Sequence, residues 1–517
     1  MVYRKLANLK FLLIFVFIIS FIARFYNLGN LGIWADEGYS AFLAQKSLYQ
    51  IFEYLKSDSG PPFYYLILSL FIKIADTEFM LRLPSVIAGC FSVLVIFFLG
   101  KELFDKETGF WSSFIAGISP LFIYYSQLSR NYALLVFLVL SYFYFFIKIA
   151  KDKRLKYLIG YTISGTLILY THNVGLFIII CGLICGIVTG YYKKEFRRSW
   201  LISNILIAFF YLPWFLVLIQ QVSKSERTIG WIKYIWEDGV NLFGIPLSLL
   251  AFCTGGYIPS HVGIYAINGL QPLVIGIHLF LLVYLVLYLK KEGNMSNKRN
   301  LFQLVLFLML PLIMIWISSF KIPIYLPGRT DLGVFGFFAI ISGFACSKLK
   351  DLYIKVGFFT LLLAISTLTL VPHYNSKDRL KDKELSNFLI SQARNEDVII
   401  FTGLTIPSLS YYLNRSDKKL EYIFFPSDMK EHRGHFDPKP YMKDQALLHY
   451  EIKGLMDYLR IHLEPGKTVW IIYEVHQINQ EFLKRIKKEF SLIYKNEERT
   501  YSLFLLDRPL KIYGFKK

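Results

Sequence analysis

The segment that decides the topology of this chain is residues 61–75, PPFYYLILSLFIKIA. It opens with two prolines, contains Lys73 and is 15 residues long. A helix needs about 20 apolar residues to cross the hydrocarbon core of a membrane, whereas a shorter amphipathic helix lies along the interface. Whether this segment crosses the membrane or lies along the interface decides the orientation of every later span relative to the N-terminus.

The rest of the chain is rich in longer apolar runs. Of the 517 residues, 55% are hydrophobic and only 18% are charged, which is less charge than a soluble protein of this length carries. Runs close to the length of a membrane span recur as far as residue 371. We predict about eleven spans. They lie near residues 9–28, 82–100, 109–128, 131–149, 155–172, 174–192, 200–220, 267–289, 301–319, 330–347 and 353–371.

Basic clusters between the apolar runs decide the orientation, because Lys and Arg of short loops stay on the cytoplasmic side. If residues 61–75 do not cross, the clusters lie on the same side as the basic N-terminus; if they cross, the clusters all lie outside. The clusters fall in residues 101–106, 151–156, 193–198, 290–299 and 348–355. We therefore predict a non-crossing interfacial helix at 61–75 and a cytoplasmic N-terminus. The net charge of +20 then reflects topology rather than nucleic-acid binding.

This topology leaves three parts of the chain on the extracytoplasmic side. Two are long loops, residues 29–81 and 221–266. The third is everything after the last span, where charges of both signs appear and apolar runs shorten to strand length. We predict a membrane domain over 1–372 and a small extracytoplasmic α/β domain over 373–517, in a protein that is mainly α.

Polar residues of the predicted spans gather at their extracytoplasmic ends. Arg130 lies between the third and fourth spans, His172 ends the fifth, and Arg329 precedes the tenth. Cationic and hydrogen-bonding side chains at headgroup depth suit a phosphate or a diphosphate. Each also has a simpler interpretation, because an arginine at a membrane boundary can anchor a helix in the headgroups and a histidine in a turn can be structural.

Asp36 and Glu37 follow Trp34 in the first outer loop. Transfer of a sugar to a hydroxyl needs a carboxylate that takes the acceptor's proton, and positive charge that stabilises the leaving phosphate. The acid pair can supply the first, and Arg130 or Arg329 the second. A single displacement with one base inverts the anomeric carbon. The same acids also suit the cap and first turn of a helix, where they interact favourably with the helix dipole.

Several motifs follow one another in a fixed order over the first 175 residues. They are Asp36-Glu37, Gly60-Pro61-Pro62-Phe63-Tyr64-Tyr65, Leu81-Arg82-Leu83-Pro84-Ser85, Ser119-Pro120 with Tyr124-Tyr125-Ser126-Gln127 and Arg130-Asn131-Tyr132, and Tyr170-Thr171-His172-Asn173. In this set the chain resembles the membrane glycosyltransferases of the C-type fold. The resemblance is closest to the protein-mannosyltransferase-like family, glycosyltransferase family 39, and to the lipid A aminoarabinose transferases.

The resemblance implies a multi-pass protein of the cell membrane that takes its sugar from a polyprenyl-phosphate carrier. The acceptor would be an extracytoplasmic glycan, lipid or protein. By position, Asp36 would be the catalytic base and Glu37 its companion. Four residues on the extracytoplasmic side would bind the donor. These are Arg130, His172, Arg329 and Tyr64.

Two positions depart from the family pattern. Gly60 stands where a His or Lys often precedes the double proline, so that a phosphate or metal contact would have to come from Asp58 or Lys56 instead. Arg329 lacks the tyrosine that often follows the corresponding arginine. No cluster of His, Cys and carboxylate residues predicts a metal site, and the requirement for a divalent cation stays open.

The main alternative is a transporter or a lipid flippase of the cell envelope. Such proteins place ionisable residues near the bilayer midplane and often show repeat symmetry. In this sequence His278 is the ionisable residue nearest the centre of a predicted span, and no internal repeat is visible. The glycosyltransferase is therefore the leading hypothesis.

Overall fold

The computed structural model describes residues 2–152, 154–188, 194–225, 229, 232–255, 271–375, 381–402, 406–430, 439–474, 477–499 and 509–516. Contacts within the chain divide it into two compact units. The first comprises Met1–Leu28, Lys46–Pro259 and Gly263–Asn375. The second comprises Gly29–Gln45, Ser260–Val262 and Ser376–Lys517.

Helices dominate the chain as far as residue 375. In order they are α1 (Val2–Phe25), α2 (Ala35–Ala44), α3 (Leu48–Lys56), α4 (Phe63–Ile72), α5 (Glu78–Leu103), α6 (Lys106–Ile118), α7 (Pro120–Ser126), α8 (Tyr132–Lys151), α9 (Leu155–Thr171), α10 (Gly175–Val188), α11 (Lys194–Ser223), α12 (Ile232–Ile235), α13 (Asn241–Thr254), α14 (Gln271–Lys291), α15 (Met295–Ser319), α16 (Phe335–Lys348) and α17 (Leu352–Tyr374). A π-helical turn, Trp236–Val240, precedes α13, and a 3₁₀ turn, Leu332–Val334, precedes α16.

Within the described ranges, 6 helices are long and apolar enough to cross a membrane. These segments are Glu78–Leu103, Tyr132–Lys151, Arg197–Ser223, Pro272–Lys291, Met295–Ser319 and Leu352–Val371. Shorter apolar helices include Phe11–Phe25, Gly175–Val188 and Leu332–Lys348. The predicted class, a helical multi-pass membrane protein, is confirmed, whereas the number of spans stays a prediction.

The segment that decides the topology forms the short helix α4. Its 10 residues begin directly after the two prolines and reach only about 15 Å, half of the hydrocarbon thickness. Close by, the Arg82 Nη1 atom donates a hydrogen bond to the carbonyl of Leu28, at 2.7 Å. Leu28 follows the end of α1 and Arg82 lies in the first turns of α5. The chain therefore leaves and re-enters the helical bundle at the same end, as a non-crossing segment requires.

Ion pairs gather several basic clusters at the other end of the first unit. Lys148 and Lys151, in the last turn of α8, bond Glu102 at 2.7 and 2.9 Å. Lys348, at the end of α16, bonds Asp105 at 2.7 Å. The loops that carry three of the predicted clusters consequently share one end of the bundle.

The C-terminal part of the second unit is a five-stranded sheet of order β2-β1-β3-β5-β4. The strands are β1 (Val398–Thr402), β2 (Glu421–Phe424), β3 (Thr468–Glu474), β4 (Ser491–Arg499) and β5 (Pro509–Lys516), and the helices are α18 (Lys381–Gln392), α19 (Ile406–Leu413), α20 (Lys439–Lys443), α21 (Gln445–His462) and α22 (Gln477–Glu489). β1 is parallel to β2 and β3, whereas β5 is antiparallel to β3 and β4. The predicted small α/β fold is confirmed.

Alternation along the strands builds an apolar core on each face of the sheet, because successive side chains of a strand point to opposite sides. Ile400 belongs to the cluster formed with α21 and α22. Its neighbours Ile399 and Phe401 belong to the cluster formed with α18 and α19. Helices therefore cover both faces, and α19 is attached to β1 through this second core.

Candidate active site

Four of the five ordered motifs converge at the end of the first unit that lies away from the ion pairs. The Asn131 side chain, before α8, donates a hydrogen bond to the carbonyl of Thr171, at 2.6 Å. The Ser85 hydroxyl, in α5, donates to the carbonyl of Arg130, at 2.9 Å. Three motifs that are separate in the sequence are thus joined by direct hydrogen bonds.

The double-proline motif joins the same group. The Tyr64 hydroxyl lies 2.8 Å from the Ser85 hydroxyl, and Tyr64 is fully buried. The Asn173 side chain donates to the carbonyl of Ser59, at 2.8 Å. Tyr64, a predicted donor contact, is therefore connected to the backbone of Arg130 through one serine.

Two of the predicted donor contacts meet at Tyr132. The Arg329 Nε atom donates a hydrogen bond to the Tyr132 hydroxyl, at 2.6 Å, and the guanidinium lies 5.5 Å from the centre of the same ring. The His172 ring is 5.8 Å from that of Tyr132. Both Arg130 and Arg329 are within electrostatic range of His172. Arg329 and His172, both predicted from the sequence, contact a tyrosine that the predicted set omitted.

A tight turn presents Arg329 to this cluster. Gly328 adopts a φ of 73°, in the left-handed region that favours glycine. A Cβ atom there would lie 2.9 Å from the Cβ of Ala251, so the turn is also close to α13. The turn thus brings Arg329 to the hydroxyl of Tyr132 of α8.

A buried acid lies close to the cationic residues. Asp331 is 1% exposed, and it is within electrostatic range of the Tyr125 side chain, as Arg329 is. Burial of an ionisable side chain is costly, and in a helical membrane protein such a residue is usually functional. Asp331 lies two positions after Arg329 in the sequence. An acid so close to the predicted arginine is the signal that could have added Asp331 to the candidate set.

The predicted catalytic pair lies in the second unit. Asp36 and Glu37 occupy the first turn of α2, where acids are favoured by the helix dipole. Glu37 is fully buried, whereas Asp36 is only partly buried. Asp36 is therefore the more accessible acid of the pair. The four predicted donor contacts all belong to the first unit.

The residues near Gly60 differ in their environments. Lys56 forms an exposed ion pair with Glu53, at 2.6 Å. Asp58 is buried, and its Oδ1 atom accepts from the backbone N–H of Ser59, at 2.6 Å. Asp58 is thus the candidate that lies beside the His172 motif, through Ser59 and Asn173. Among the residues described by the structure, no group of three or more His, Cys, Asp or Glu side chains could hold a metal ion.

Comparison with known proteins places this arrangement in a familiar class. Residues 59–217, which contain most of the ordered motifs, match the family described as dolichyl-phosphate-mannose-protein mannosyltransferase. Across 99% of this chain and 98% of the other, the fold matches that of ArnT from Cupriavidus metallidurans in the apo state, with a TM-score of 0.61 and 10% identity. The chain has the fold of a C-type membrane glycosyltransferase. The resemblance predicted from the motifs is confirmed.

Two further structures of this fold are similar to the chain. ArnT from the same organism bound to undecaprenyl phosphate matches with a TM-score of 0.59 and 10% identity, over 97% of both chains. The archaeal oligosaccharyltransferase AglB from Archaeoglobus fulgidus, in complex with an inhibitory peptide and a dolichol-phosphate, matches with a TM-score of 0.52 and 14% identity, over 90% of this chain and 70% of that one. No curated protein matches the chain by sequence. None of these comparisons supports the transporter alternative.

Proposed function

We propose that this chain transfers a sugar from a polyprenyl-phosphate donor to an extracytoplasmic acceptor, which is a glycan, a lipid or a protein. The observation that carries the proposal is the contact of Arg329 and His172 with Tyr132 in a C-type fold, with Arg130 within electrostatic range of His172. Proteins of the same fold have been solved with undecaprenyl phosphate or a dolichol-phosphate bound. A cationic cluster at the end of a helical bundle suits the same headgroup chemistry.

The arginines supply the electrostatic part of the reaction. As the bond between the anomeric carbon and the phosphate oxygen breaks, its electron pair leaves with the phosphate and adds negative charge there. Guanidinium groups stabilise that charge through paired, charge-assisted hydrogen bonds. Tyr132 fixes the plane of Arg329, and Tyr64 supports the backbone of Arg130 through Ser85.

Asp36 acts as the general base in this proposal. The acceptor oxygen attacks the anomeric carbon, and Asp36 takes its proton as the new bond forms. One displacement with one base inverts the anomeric configuration. Glu37, which is fully buried, supports the helix rather than meeting the acceptor.

The proposed reaction sets the orientation of the chain. Residues 1–372 form the membrane domain, with 29–81 as the catalytic outer loop, 221–266 as a second outer loop and residues 373–517 as the extracytoplasmic domain. The N-terminus lies in the cytoplasm, on the side of the basic clusters. The protein resides in the cell membrane.

Mass spectrometry of envelope glycans tests the function directly. A strain that lacks the protein is expected to lose one sugar from one class of acceptor, and the wild-type chain is expected to restore it. Asp36→Asn is expected to lower the rate of restoration by about 10²–10⁴-fold, since it removes the proton acceptor while keeping the shape. Asp417→Asn, an exposed acid of the same unit, is the matched control with normal activity.

The outcomes separate the enzyme from its alternative. A normal transfer rate in the Asp36→Asn variant would contradict the assignment of Asp36 as the general base. Movement of a labelled polyprenyl lipid across vesicles that contain the wild-type chain, without any glycosyl product, would favour a flippase instead.

A further inference from the structure

Helix α2, which carries the acid pair, packs against helix α19 of the sheet domain. Gly38 lies at the contact. A Cβ atom at this position would lie 2.4 Å from the carbonyl carbon of Pro407 and 2.5 Å from the backbone nitrogen of Ser408. Real Cβ atoms do not approach backbone atoms so closely. The two helices therefore meet at this distance only because residue 38 is glycine.

A second contact fixes the chain just before α2. The backbone N–H of Ile33 donates a hydrogen bond to the Tyr412 hydroxyl, at 2.9 Å, and both residues are buried. Pro407 lies near the start of α19 and Tyr412 near its end. Gly38 and Ile33 thus contact opposite ends of α19. These two contacts fix the direction of α2 as well as its distance from α19.

The α19 helix is itself firmly held. Every one of its residues is buried, and Ile406 and Leu409 are fully enclosed in the apolar core that contains Ile399 of β1. The Ser408 hydroxyl donates to the Asp382 carboxylate in α18, at 2.5 Å. The position of α2 is therefore set by the sheet domain through one rigid helix.

We propose that the C-terminal sheet domain is a positioning element for the catalytic carboxylate. Residues of a helix are rotated by about 100° each, so that Asp36 lies roughly 200° from Gly38 and faces away from α19. This geometry agrees with the partial exposure of Asp36. The proposal rests on the function proposed above, with Asp36 as the base, and assigns Gly38 and Tyr412 to its support.

Gly38→Ala tests the contact with the smallest change. Alanine is a better helix former than glycine, so that the substitution strengthens α2 itself and acts against it only through the clash with Pro407. Displacement of a catalytic group by about 1 Å costs on the order of 10²-fold in rate. We expect the restoration of the envelope glycan to fall by roughly this factor. Gly454→Ala, in α21, is the matched control, because a Cβ atom there meets nothing within 4 Å.

Two measurements on the purified full-length chain separate positioning from misfolding. Binding of undecaprenyl phosphate is expected to be unchanged in Gly38→Ala, because the donor residues belong to the first unit. Hydrogen–deuterium exchange is expected to increase in α2 and α19 and to stay unchanged in β1 and β3. Tyr412→Phe removes only the hydroxyl that binds Ile33. We expect it to raise exchange in α2 and α19 and to lower the transfer rate, in both cases less than Gly38→Ala does.

Each outcome decides the proposal. Normal transfer by Gly38→Ala, while Asp36→Asn is inactive, would overturn the positioning role and leave the proposed function intact. Slow transfer with exchange that is unchanged in α2, or that rises throughout the sheet, would also overturn it. If Asp36→Asn is fully active, the failure lies in the proposed function, whatever Gly38→Ala does.

Discussion

Arg329 depends on Tyr132 for its orientation. Its Nε atom donates a hydrogen bond to the tyrosine hydroxyl, at 2.6 Å, and this bond fixes the plane of the guanidinium. A lysine in its place keeps the charge but has neither the fork nor the Nε donor. In the proposed function, Arg329 therefore acts through its geometry as well as through its charge.

We expect Arg329→Lys to weaken the binding of undecaprenyl phosphate by roughly 10- to 100-fold, since a hydrogen bond to a charged group contributes about 1.5–3 kcal/mol. Tyr132→Phe keeps the ring and removes the acceptor, and we expect it to weaken binding by roughly fivefold. Titration of the purified chain measures both. Tyr353→Phe, at an 87% exposed position, is the control. Equal affinity of all three variants would contradict the assigned donor site.

The sequence predicts the charged members of this site better than their support. Arg130, His172 and Arg329 are predicted from the sequence because charged or hydrogen-bonding residues at the ends of apolar runs are rare and costly. Tyr132 stands among many aromatic residues, and its partner is 197 positions away in the chain. Nothing in local composition distinguishes a tyrosine that orients an arginine from one that packs.

At the level of elements, a helix break shows how a structural arginine differs from a binding one. The span predicted at 109–128 is interrupted, because α6 ends at Ile118 and α7 begins at Pro120. Proline has no N–H, so the carbonyl of Ala116 loses its usual partner four residues on. The Arg24 Nη2 atom donates to this carbonyl, at 3.2 Å. Arg24 is fully buried, and its hydrogen bond to Ala116 connects α1 to the break between α6 and α7.

This pairing predicts a specific rescue. We expect Arg24→Leu to lower the free energy of unfolding by about 1.5–3 kcal/mol, because it leaves buried carbonyls without their charged donor. Pro120→Ala supplies an N–H to Ala116, so that it should recover part of the loss in the double variant. Thermal unfolding in detergent of the wild type, both single variants and the double variant gives the double-mutant cycle that measures this coupling. Additive effects would show that the proline and the arginine are not coupled.

At the level of the whole molecule, the division into two units was the least accessible to sequence reasoning. The change of composition near residue 373 announces the α/β domain, and charge patterning predicts the helical membrane part. The grouping of Gly29–Gln45 with that domain arises from the approach of Gly38 to Pro407, and a single glycine in an outer loop gives no sign of it. Local patterns identify elements, whereas long-range contacts decide which elements belong to the same unit.

The orientation of the whole chain gives the last prediction. In a background with the native cysteines replaced by serine, we expect an impermeant maleimide to label Tyr450→Cys in intact cells, because this residue is 75% exposed in the sheet domain. Met295→Cys, 73% exposed, should be labelled only after permeabilisation. Met295 is the first residue of α15. In the same helix the Asn300 side chain donates a hydrogen bond to the carbonyl of Leu103, which is close in sequence to the ion-paired Asp105. Labelling at Met295 therefore reports on the end of the bundle that carries the basic clusters. The reverse pattern would place Asp36 in the cytoplasm, where an extracytoplasmic acceptor could not reach it.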